Sequence, residues 1–333
     1  MIIRTQVHAR AGLLGNPSDM FGGKVISFLI KNFRAQVRLW ESPTLLLKLH
    51  PEHDRTEFEG LPDLVTSVRR HGYYGMHRLL LATCRRFADY CEERGLKLRA
   101  ANFTLEYEAD IPRQSGLGGS SAMIIAALRA LLRFHRAPAL RPGELAKLAL
   151  SVETQELGIT AGLQDRVVQS YGGLTYMDFS GEEGRYRRMN SQRLPRFGLA
   201  YLTEAQVGAR ESGQVHARVR YRWEQGDPEV GRTMRSIAHC GEAGREALMA
   251  GDMARLGELM NRNFDLRRKL FGDEALGEHN IALVEIARAA GFPAKLPGSN
   301  GAALILLDSR KAEAELAKAY QEKGYRFVGI KAV

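Results

Sequence analysis

The spacing of hydrophobic positions changes several times along the chain, and each spacing predicts a type of element. Stretches rich in β-branched and aromatic residues predict strands at 2–10 and 98–108, and three more in VISFLI, RAQVRLW and LLLKL between residues 24 and 49. Leucines, alanines and Phe87, recurring at intervals of three and four, predict a helix over 75–94. Strands and a helix therefore alternate through the first hundred residues.

A second pattern follows, with longer helices and fewer strands. An apolar face of isoleucines and leucines predicts a strong helix from Ser120 onward. The remaining expected elements are helices at 144–156 and 164–170, strands at 173–179 and 195–203, largely helical sequence over 211–271, a helix at 281–290, a strand at 302–307, a helix at 311–323 and a strand at 325–330. The change of pattern near 190–205 predicts two domains, 1–195 and 196–333.

Composition adds limits to this picture. Hydrophobic residues make up 44% of the 333 residues and charged residues 26%, which is typical of a globular protein with a sizeable core. No apolar run reaches the roughly 18 residues of a membrane span, and MIIRTQVHARAG lacks the pattern of a secretion signal. The three cysteines, Cys84, Cys91 and Cys240, have no metal-type spacing, so we expect reduced thiols in a cytoplasmic protein.

The net charge of +10 suits an anionic partner, which includes nucleic acid and acidic substrates. The densest basic runs are RYRR at 185–188 and RVRYRW at 218–223, the second with aromatic residues that resemble a base-stacking surface. Acidic residues interrupt most of the basic runs. A solvated face or an anion-guiding rim is therefore the favoured interpretation, and neither a nucleic-acid partner nor a membrane is expected.

The stretch Ser115–Ala122 contains three glycines and three serines just before the strongest predicted helix. It is not a P-loop, because the only Gly-Lys pair, Gly23-Lys24, is followed by valine. It is not a Rossmann fingerprint, because Ser121 stands where the last glycine is required. The residues alone leave two interpretations open: a tight turn before a helix capped by Ser120 and Ser121, or a loop whose N–H groups bind phosphate.

The pattern PxxxGLGxSSA in this stretch resembles the second motif of the GHMP kinases, a family that binds ATP phosphates on such a loop. Two further segments, HARAGLLGNPSD and KLPGSNGAALILL, resemble the first and third motifs in the right order. The resemblance implies an α+β fold with an N-terminal ribosomal-protein-S5-like βαβ domain and a C-terminal ferredoxin-like α/β domain. It implies ATP binding by Pro112, Gly116, Leu117, Gly118, Gly119, Ser120 and Ser121.

The resemblance also implies roles for charged residues. Arg10 takes the place of the family's basic residue, which would neutralise charge on the transferred phosphoryl group and keep Asp165 ionised. Asp165 lies where many members hold their proposed general base, and Glu153 where they hold a Mg²⁺ ligand, to which Ser120 would add a hydroxyl. Asn16, Asp19 and Lys24, with Ser299, Asn300 and Gly301, are the expected substrate-binding residues.

The substrate is implied by a closer resemblance. Stretches such as QELGITAGLQDRV and NRNFDLRRKLFGD are similar to the plant members of the family that phosphorylate the anomeric hydroxyl of D-glucuronate. Gly15-Asn16-Pro17 departs from the Gly-Glu-His of galactokinase-like members, which indicates a different sugar. Candidate cations for a substrate carboxylate are Lys24, Arg113, Arg166 and Arg210. A heptose phosphate, galactose or arabinose kinase, a family decarboxylase, and a non-catalytic ligand or nucleic-acid binder remain alternatives, and so do a monomer and a homodimer.

Overall fold

The computed structural model describes residues 1–51, 54, 56–60, 63, 64, 66, 67, 75–206 and 212–333. The strands in chain order are β1 (Ile2–Leu14), β2 (Lys24–Glu41), β3 (Leu46–Leu47), β4 (Phe103–Ala109), β5 (Leu174–Asp178), β6 (Arg185–Met189), β7 (Arg196–Tyr201), β8 (Ala294–Lys295), β9 (Ala302–Leu307) and β10 (Arg326–Gly329). The helices are α1 (Met76–Glu93), α2 (Gly119–Phe134), α3 (Pro142–Ser151), α4 (Gln164–Tyr171), α5 (Ser212–Glu224), α6 (Pro228–Ala250), α7 (Met253–Phe271), α8 (Asp273–Leu276), α9 (Glu278–Ala289) and α10 (Arg310–Glu322).

Two compact units are built from interleaved segments of the chain. The first unit comprises Met1–Ala9, Phe33–Ile111 and Gly118–Ser170, and the second comprises Arg10–Asn32, Pro112–Leu117 and Tyr171–Val333. The long strands β1 and β2 contribute residues to both units, because each is cut partway along its length. The expected boundary between residues 195 and 196 stays a prediction beside this interleaved division.

Helix α2 forms the centre of the first unit. Its residues are mostly apolar, and twelve of its sixteen are buried, as expected for a helix largely enclosed by other elements. Strand β4 pairs antiparallel with β2 and parallel with β3. The Thr5 hydroxyl on β1 donates a 2.7 Å hydrogen bond to the carbonyl of Ala126, which fixes the strand on the helix. The alanines of α2 permit this close approach.

The second unit contains a four-stranded antiparallel sheet in the order β10-β7-β9-β8. Its buried core joins residues of β7 and β9 to residues of α9 and α10, including Leu283, Ile305 and Tyr320. The first part of β2 pairs with β5, and β5 with β6. The rings of Phe28 on β2 and Phe197 on β7 stack with centroids 5.4 Å apart.

Helices α6 and α7 form an antiparallel pair joined at Gly251, which has φ +75°. Two glycines of α6 allow it to lie directly on the strands. A Cβ on Gly241 would be 2.2 Å from the carbonyl oxygen of Lys24, and one on Gly244 would be 2.1 Å from a methyl group of Leu14. Among the helices of the described residues, none is both long and apolar enough to cross a membrane.

Most predicted elements are present, but one expectation was wrong and one strand was missed. VISFLI and RAQVRLW form one continuous strand, β2, because the polar link between them contains neither glycine nor proline and pairs with the end of the chain. There the amide of Lys31 donates to the carbonyl of Lys331, and Asn32 Nδ2 donates to the carbonyl of Gly329. Strand β6 was not predicted at all. The strand at 302–307 is confirmed with its bounds.

Candidate active site

The segment Pro112–Ser121, which is expected to bind ATP phosphates and is called the phosphate loop below, has the backbone geometry that its glycines predict. Gly116 and Gly118 have φ of +61° and +73°, in the left-handed region that favours glycine. Gly118 is the N-cap of α2, and no side chain caps the helix. The first N–H groups of a long buried helix are therefore open to an anion, and the helix dipole adds to the attraction.

The expectation that Ser120 and Ser121 cap α2 was wrong. Both residues lie inside the first turn, because the left-handed Gly118 starts the helix two residues earlier than a serine cap would. The Ser121 hydroxyl donates to the carbonyl of Gly118 at 3.1 Å. Gln169 Nε2 donates to the same carbonyl at 2.9 Å, a supporting contact for which the sequence gave no signal.

Ser120 and Glu153 are brought together in the first unit. The Ser120 hydroxyl donates to Glu153 Oε1 at 2.9 Å, and Glu153 lies in a π-helical turn, Val152–Glu156, at the end of α3. Such turns are frequent at functional sites. The other oxygen of Glu153 accepts from Arg166, which also donates to the carbonyl of Gly162. Glu153 and Arg166 are both buried, so the ion pair compensates their desolvation.

The Ser120–Glu153 pair fits a magnesium ion. Two adjacent ligands of an octahedral Mg²⁺ are about 3.0 Å apart when each bond is about 2.1 Å, and these two oxygens lie 2.9 Å apart. The described residues contain no cluster of three or more histidine, cysteine, aspartate or glutamate side chains that would hold a metal. Two protein ligands suit Mg²⁺, because it usually keeps water and phosphate oxygens as its other ligands.

Asp165 lies in the first turn of α4 and its side chain is 20% exposed. Arg166 Nη1 lies 3.9 Å from Asp165 Oδ2. Asp165 is therefore a partly exposed carboxylate beside a guanidinium, whereas Glu153 is buried.

Arg10 lies in the second unit and is 5% exposed. Its Nη1 donates to the carbonyl of Gly116 in the phosphate loop and, at 3.1 Å, to the carbonyl of Pro297. Its backbone amide donates to the carbonyl of Leu117 at 3.0 Å. Arg10 thus fixes this part of the phosphate loop to the third turn, Pro297–Gly301.

The third turn and the phosphate loop meet at glycines. A Cβ on Gly298 would lie 1.9 Å from the carbonyl oxygen of Gly116, and one on Gly301 would lie 2.1 Å from that of Gln114. Gly301 also has φ +79°, and its amide donates to Asn280 Oδ1 at 2.6 Å. Only glycine fits at these contacts, which explains why the two glycine-rich segments occur together.

The third turn also borders open space in the second unit. A cavity of about 970 Å³ extends from Asn300 and Gly301 to Gln114 and along α8 and the start of α9. The side chains of Ser299 and Asn300 are partly exposed and joined by a 3.1 Å hydrogen bond. Their assignment to substrate binding stays a prediction.

The segment Gly15–Phe21, which is expected to bind the sugar and is called the sugar loop below, is held mainly from inside the second unit. Asn16 is 3% exposed; its Nδ2 donates to the carbonyl of Leu296 at 3.2 Å, and its Oδ1 accepts from Lys295 Nζ at 2.6 Å. Asn263 holds the same loop through the amide of Gly15 and the carbonyl of Asn16. The structure therefore gives Asn16 internal partners. Asp19, in the 3₁₀ turn that follows, is partly exposed.

The candidate cations for a substrate carboxylate differ in their surroundings. Lys24 Nζ lies 2.5 Å from Glu242 Oε1, a hydrogen bond that raises the pKa of Lys24, and Arg166 is bonded to Glu153. Arg113 is partly exposed and forms no ion pair with the described residues, while Arg210 lies outside the described residues. Lys24 and Arg166 thus already have carboxylate partners.

The basic runs carry much of their own counter-charge. Arg185 binds Asp178 at 3.0 Å. Arg220 binds Glu224, and Arg222 binds Asp227 at 2.7 Å and Glu229 at 2.8 Å. Exposed pairs of this kind contribute little stability, but they reduce the positive potential that a nucleic acid would meet.

Sequence comparisons place this arrangement among known proteins. The family pattern described as "GHMP kinases N terminal domain" matches residues 78–173, and that described as "GHMP kinases C terminal" matches residues 245–326. "Probable glucuronokinase 2" from Arabidopsis thaliana is 47% identical over 316 residues, which cover 92% of this chain and 85% of the relative. "Glucuronokinase 1" from the same plant is 45% identical over 315 residues, which cover 92% of this chain and 86% of the relative.

Solved structures show the same fold at lower identity. The Methanococcus jannaschii mevalonate kinase has a TM-score of 0.73 at 21% identity, with 100% of this chain and 98% of that chain covered. The Lactococcus lactis galactokinase complexed with galactose has a TM-score of 0.75 at 16% identity, with 99% of this chain and 93% of that chain covered. The two-domain fold with mixed α and β content is thereby confirmed.

Proposed function

Because this chain belongs to the GHMP kinases, we propose that it transfers the γ-phosphoryl group of ATP to the anomeric hydroxyl of D-glucuronate, giving glucuronate 1-phosphate. One observation carries the substrate: identities of 47% and 45% to two relatives named as glucuronokinases extend over 92% of the chain. A match of that length extends well beyond the motifs common to the family.

The residues of the first unit support the phosphoryl-transfer part of the proposal. The uncapped N-terminus of α2 would receive ATP phosphate oxygens, as helix N-termini do in other folds. Ser120 and Glu153 would hold Mg²⁺, which when bound neutralises charge on the phosphate oxygens. Arg166 keeps the Glu153 carboxylate in place by binding the oxygen that Ser120 does not contact.

Asp165 is the proposed general base. Phosphoryl transfer has a loose transition state, so the sugar hydroxyl needs orientation and a proton acceptor more than early deprotonation. A partly exposed carboxylate is available to accept that proton. Arg10, which is always charged, would stabilise negative charge on the transferred group.

A coupled ADP-release assay against a panel of sugars tests the function. The panel contains D-glucuronate, D-galacturonate, D-glucose, D-galactose, L-arabinose and a heptose phosphate, each with Mg²⁺ and with EDTA. We expect Mg²⁺-dependent turnover with glucuronate and a product phosphorylated at C1 by phosphorus NMR. Turnover with the neutral sugars or the heptose phosphate, without turnover of glucuronate, would refute the substrate and leave the kinase assignment intact.

The alternative of a non-catalytic binder is tested separately. No ADP release with any sugar, together with salt-dependent binding to DNA or RNA, would contradict the kinase assignment. A matched pair of proteins, the wild type and an Asp165→Asn variant, distinguishes enzymatic release of ADP from a contaminating ATPase.

A further inference from the structure

Two cations in the second unit are fully buried without a carboxylate partner among the described residues. Lys295 and Arg267 are each 1% exposed, and all their described hydrogen-bond acceptors are neutral oxygens. Burying a charge costs several kcal/mol unless the protein replaces the lost water. The oxygens that replace the water here belong to loops of the candidate active site.

Lys295 is bonded to the sugar loop and the segments next to it. Its Nζ donates to the carbonyl of Gly12 at 3.0 Å, to Asn16 Oδ1 at 2.6 Å and to the carbonyl of Leu296 at 2.8 Å. Three acceptors match the three donors of an ammonium group. Asn16 Nδ2 also donates to the carbonyl of Leu296, so Lys295, Asn16 and Leu296 form a closed set of hydrogen bonds.

Arg267 is bonded to the third turn instead. Its Nη1 donates to the carbonyl of Gly298 at 2.5 Å, and its Nη2 donates to the carbonyl of Ser299. The guanidinium carbon lies 5.5 Å from the ring centroid of Phe271 on the same helix, which limits its rotation. Gly298 in turn lies against Gly116 of the phosphate loop.

The contacts of the two cations do not overlap. Lys295 has no described hydrogen bond to Gly298–Gly301, and Arg267 has none to the sugar loop. Both are too deeply buried to touch a substrate, so any effect on catalysis passes through the loops they hold.

We propose that Lys295 and Arg267 are positioning residues with separate tasks: Lys295 sets the sugar loop through Asn16, and Arg267 sets the phosphate loop through the third turn. The inference rests on the proposed function for the identity of the two ligands, a sugar and ATP. The assignment of one loop to each residue rests on the hydrogen bonds.

Steady-state kinetics of two methionine variants, which keep an unbranched side chain but remove its charge, test whether each residue positions a different loop. Lys295→Met removes the donors to Asn16, and we expect the KM for the sugar to rise about tenfold or more while the KM for ATP changes less than about twofold. Arg267→Met removes the donors to the third turn, and we expect the reverse. Lys318→Met, at an exposed lysine of α10 paired only with Glu322, is the matched control and should change neither KM.

Hydrogen exchange gives a readout that needs no substrate. Lys295→Met should increase exchange of the Gly15–Phe21 amides and leave those of Pro112–Ser121 unchanged, and Arg267→Met should do the opposite. A double-mutant cycle of Lys295→Met with Asn16→Ala should show strong coupling, because each variant removes the same bond. Arg267→Lys should recover part of the ATP affinity, since one ammonium reaches only one of the two carbonyls.

Failure of this inference and failure of the proposed function give different results. If the wild type turns over none of the sugars, the substrate proposal is refuted. Hydrogen exchange, together with Mg·AMPPNP binding by calorimetry, still tests whether Lys295 and Arg267 each position a different loop. Equal changes of both KM values, or of exchange in both loops, in either variant would overturn it. So would variants that only lower Tm and keep both KM values at the wild-type level.

Discussion

The contact between Gly298 and Gly116 allows a quantitative prediction for Gly298→Ala. The new Cβ would lie 1.9 Å from the Gly116 oxygen and 2.6 Å from its carbonyl carbon, whereas real Cβ contacts stay beyond 3.0 Å. The two backbones must therefore separate by about 1.1 Å. Gly298 does not have a positive φ, so the whole effect comes from this overlap and none from backbone strain.

Overpacking of this kind costs about 1–3 kcal/mol, which for a chain of 333 residues corresponds to a fall of about 1–4 °C in Tm. The effect on catalysis is of similar size in free energy, because a hundredfold loss of rate is about 2.7 kcal/mol. A displacement of about 1 Å near a reacting group costs up to about a hundredfold in rate. Gly116 also accepts a hydrogen bond from Arg10, so the substitution disturbs that contact as well. We expect kcat/KM for ATP to fall about 10–100-fold.

Differential scanning calorimetry and initial-rate kinetics check the two parts separately. Gly181→Ala is the matched control, because a Cβ there meets nothing within 4 Å and its φ is not positive. It should keep the Tm and the KM for ATP of the wild type. If Gly298→Ala behaves like Gly181→Ala in both assays, the packing of the third turn on the phosphate loop is not as described and the reasoning is refuted.

Three further predictions follow from the charged groups. Asp165→Asn should lower kcat by roughly 10²–10⁴-fold and leave Mg·AMPPNP binding by calorimetry unchanged, and an active variant would remove Asp165 as the base. Glu153→Gln should raise the Mg²⁺ concentration needed for half-maximal rate, measured by titration at fixed ATP, and an unchanged requirement would exclude Glu153 as a ligand. Burial, with Arg267 and Arg10 nearby, lowers the pKa of Lys295 well below its usual 10.5. Between the lowered pKa and 10.5 the unfolded chain binds more protons, so this group adds stability as pH rises. The Tm difference between wild type and Lys295→Met should therefore shift in favour of the wild type from pH 7 to 10, and a pH-independent difference would contradict the lowered pKa of Lys295.

The elements that the sequence predicted correctly are those whose periodicity coincides with burial. The strand at 302–307 is apolar throughout and buried on both faces. The apolar residues of α2 are likewise the residues that the structure buries. Strand β6 was missed because its residues, RYRRM, are mostly charged and exposed. It exists because it pairs with β5, where Arg187 lies opposite Tyr176, and such a pairing is not visible in a local pattern.

The candidate site was predictable as a set of segments but not as a set of contacts. The motif order indicated Arg10, Ser120, Glu153 and Asp165, whose roles stay predictions. The serine caps were wrong, because a run of two serines does not reveal which residue starts the helix. Arg267 was missed because an arginine in a charged helix is expected at the surface. For Lys295 the only available signal was a lysine within the apolar FPAKLP.

The carbonyl bonds of the third turn also determine where its amide hydrogens point. The carbonyl of Pro297 accepts from Arg10, and those of Gly298 and Ser299 accept from Arg267. In a trans peptide the following N–H is antiparallel to the carbonyl, so three successive N–H groups, of residues 298–300, point away from the cations. The buried cations thus orient three successive peptide dipoles of the turn, with their N–H ends on the opposite side. An anion on that side would meet the positive ends of three peptide dipoles. Unlike charged side chains, peptide dipoles do not change with pH and form no ion pairs with surface carboxylates.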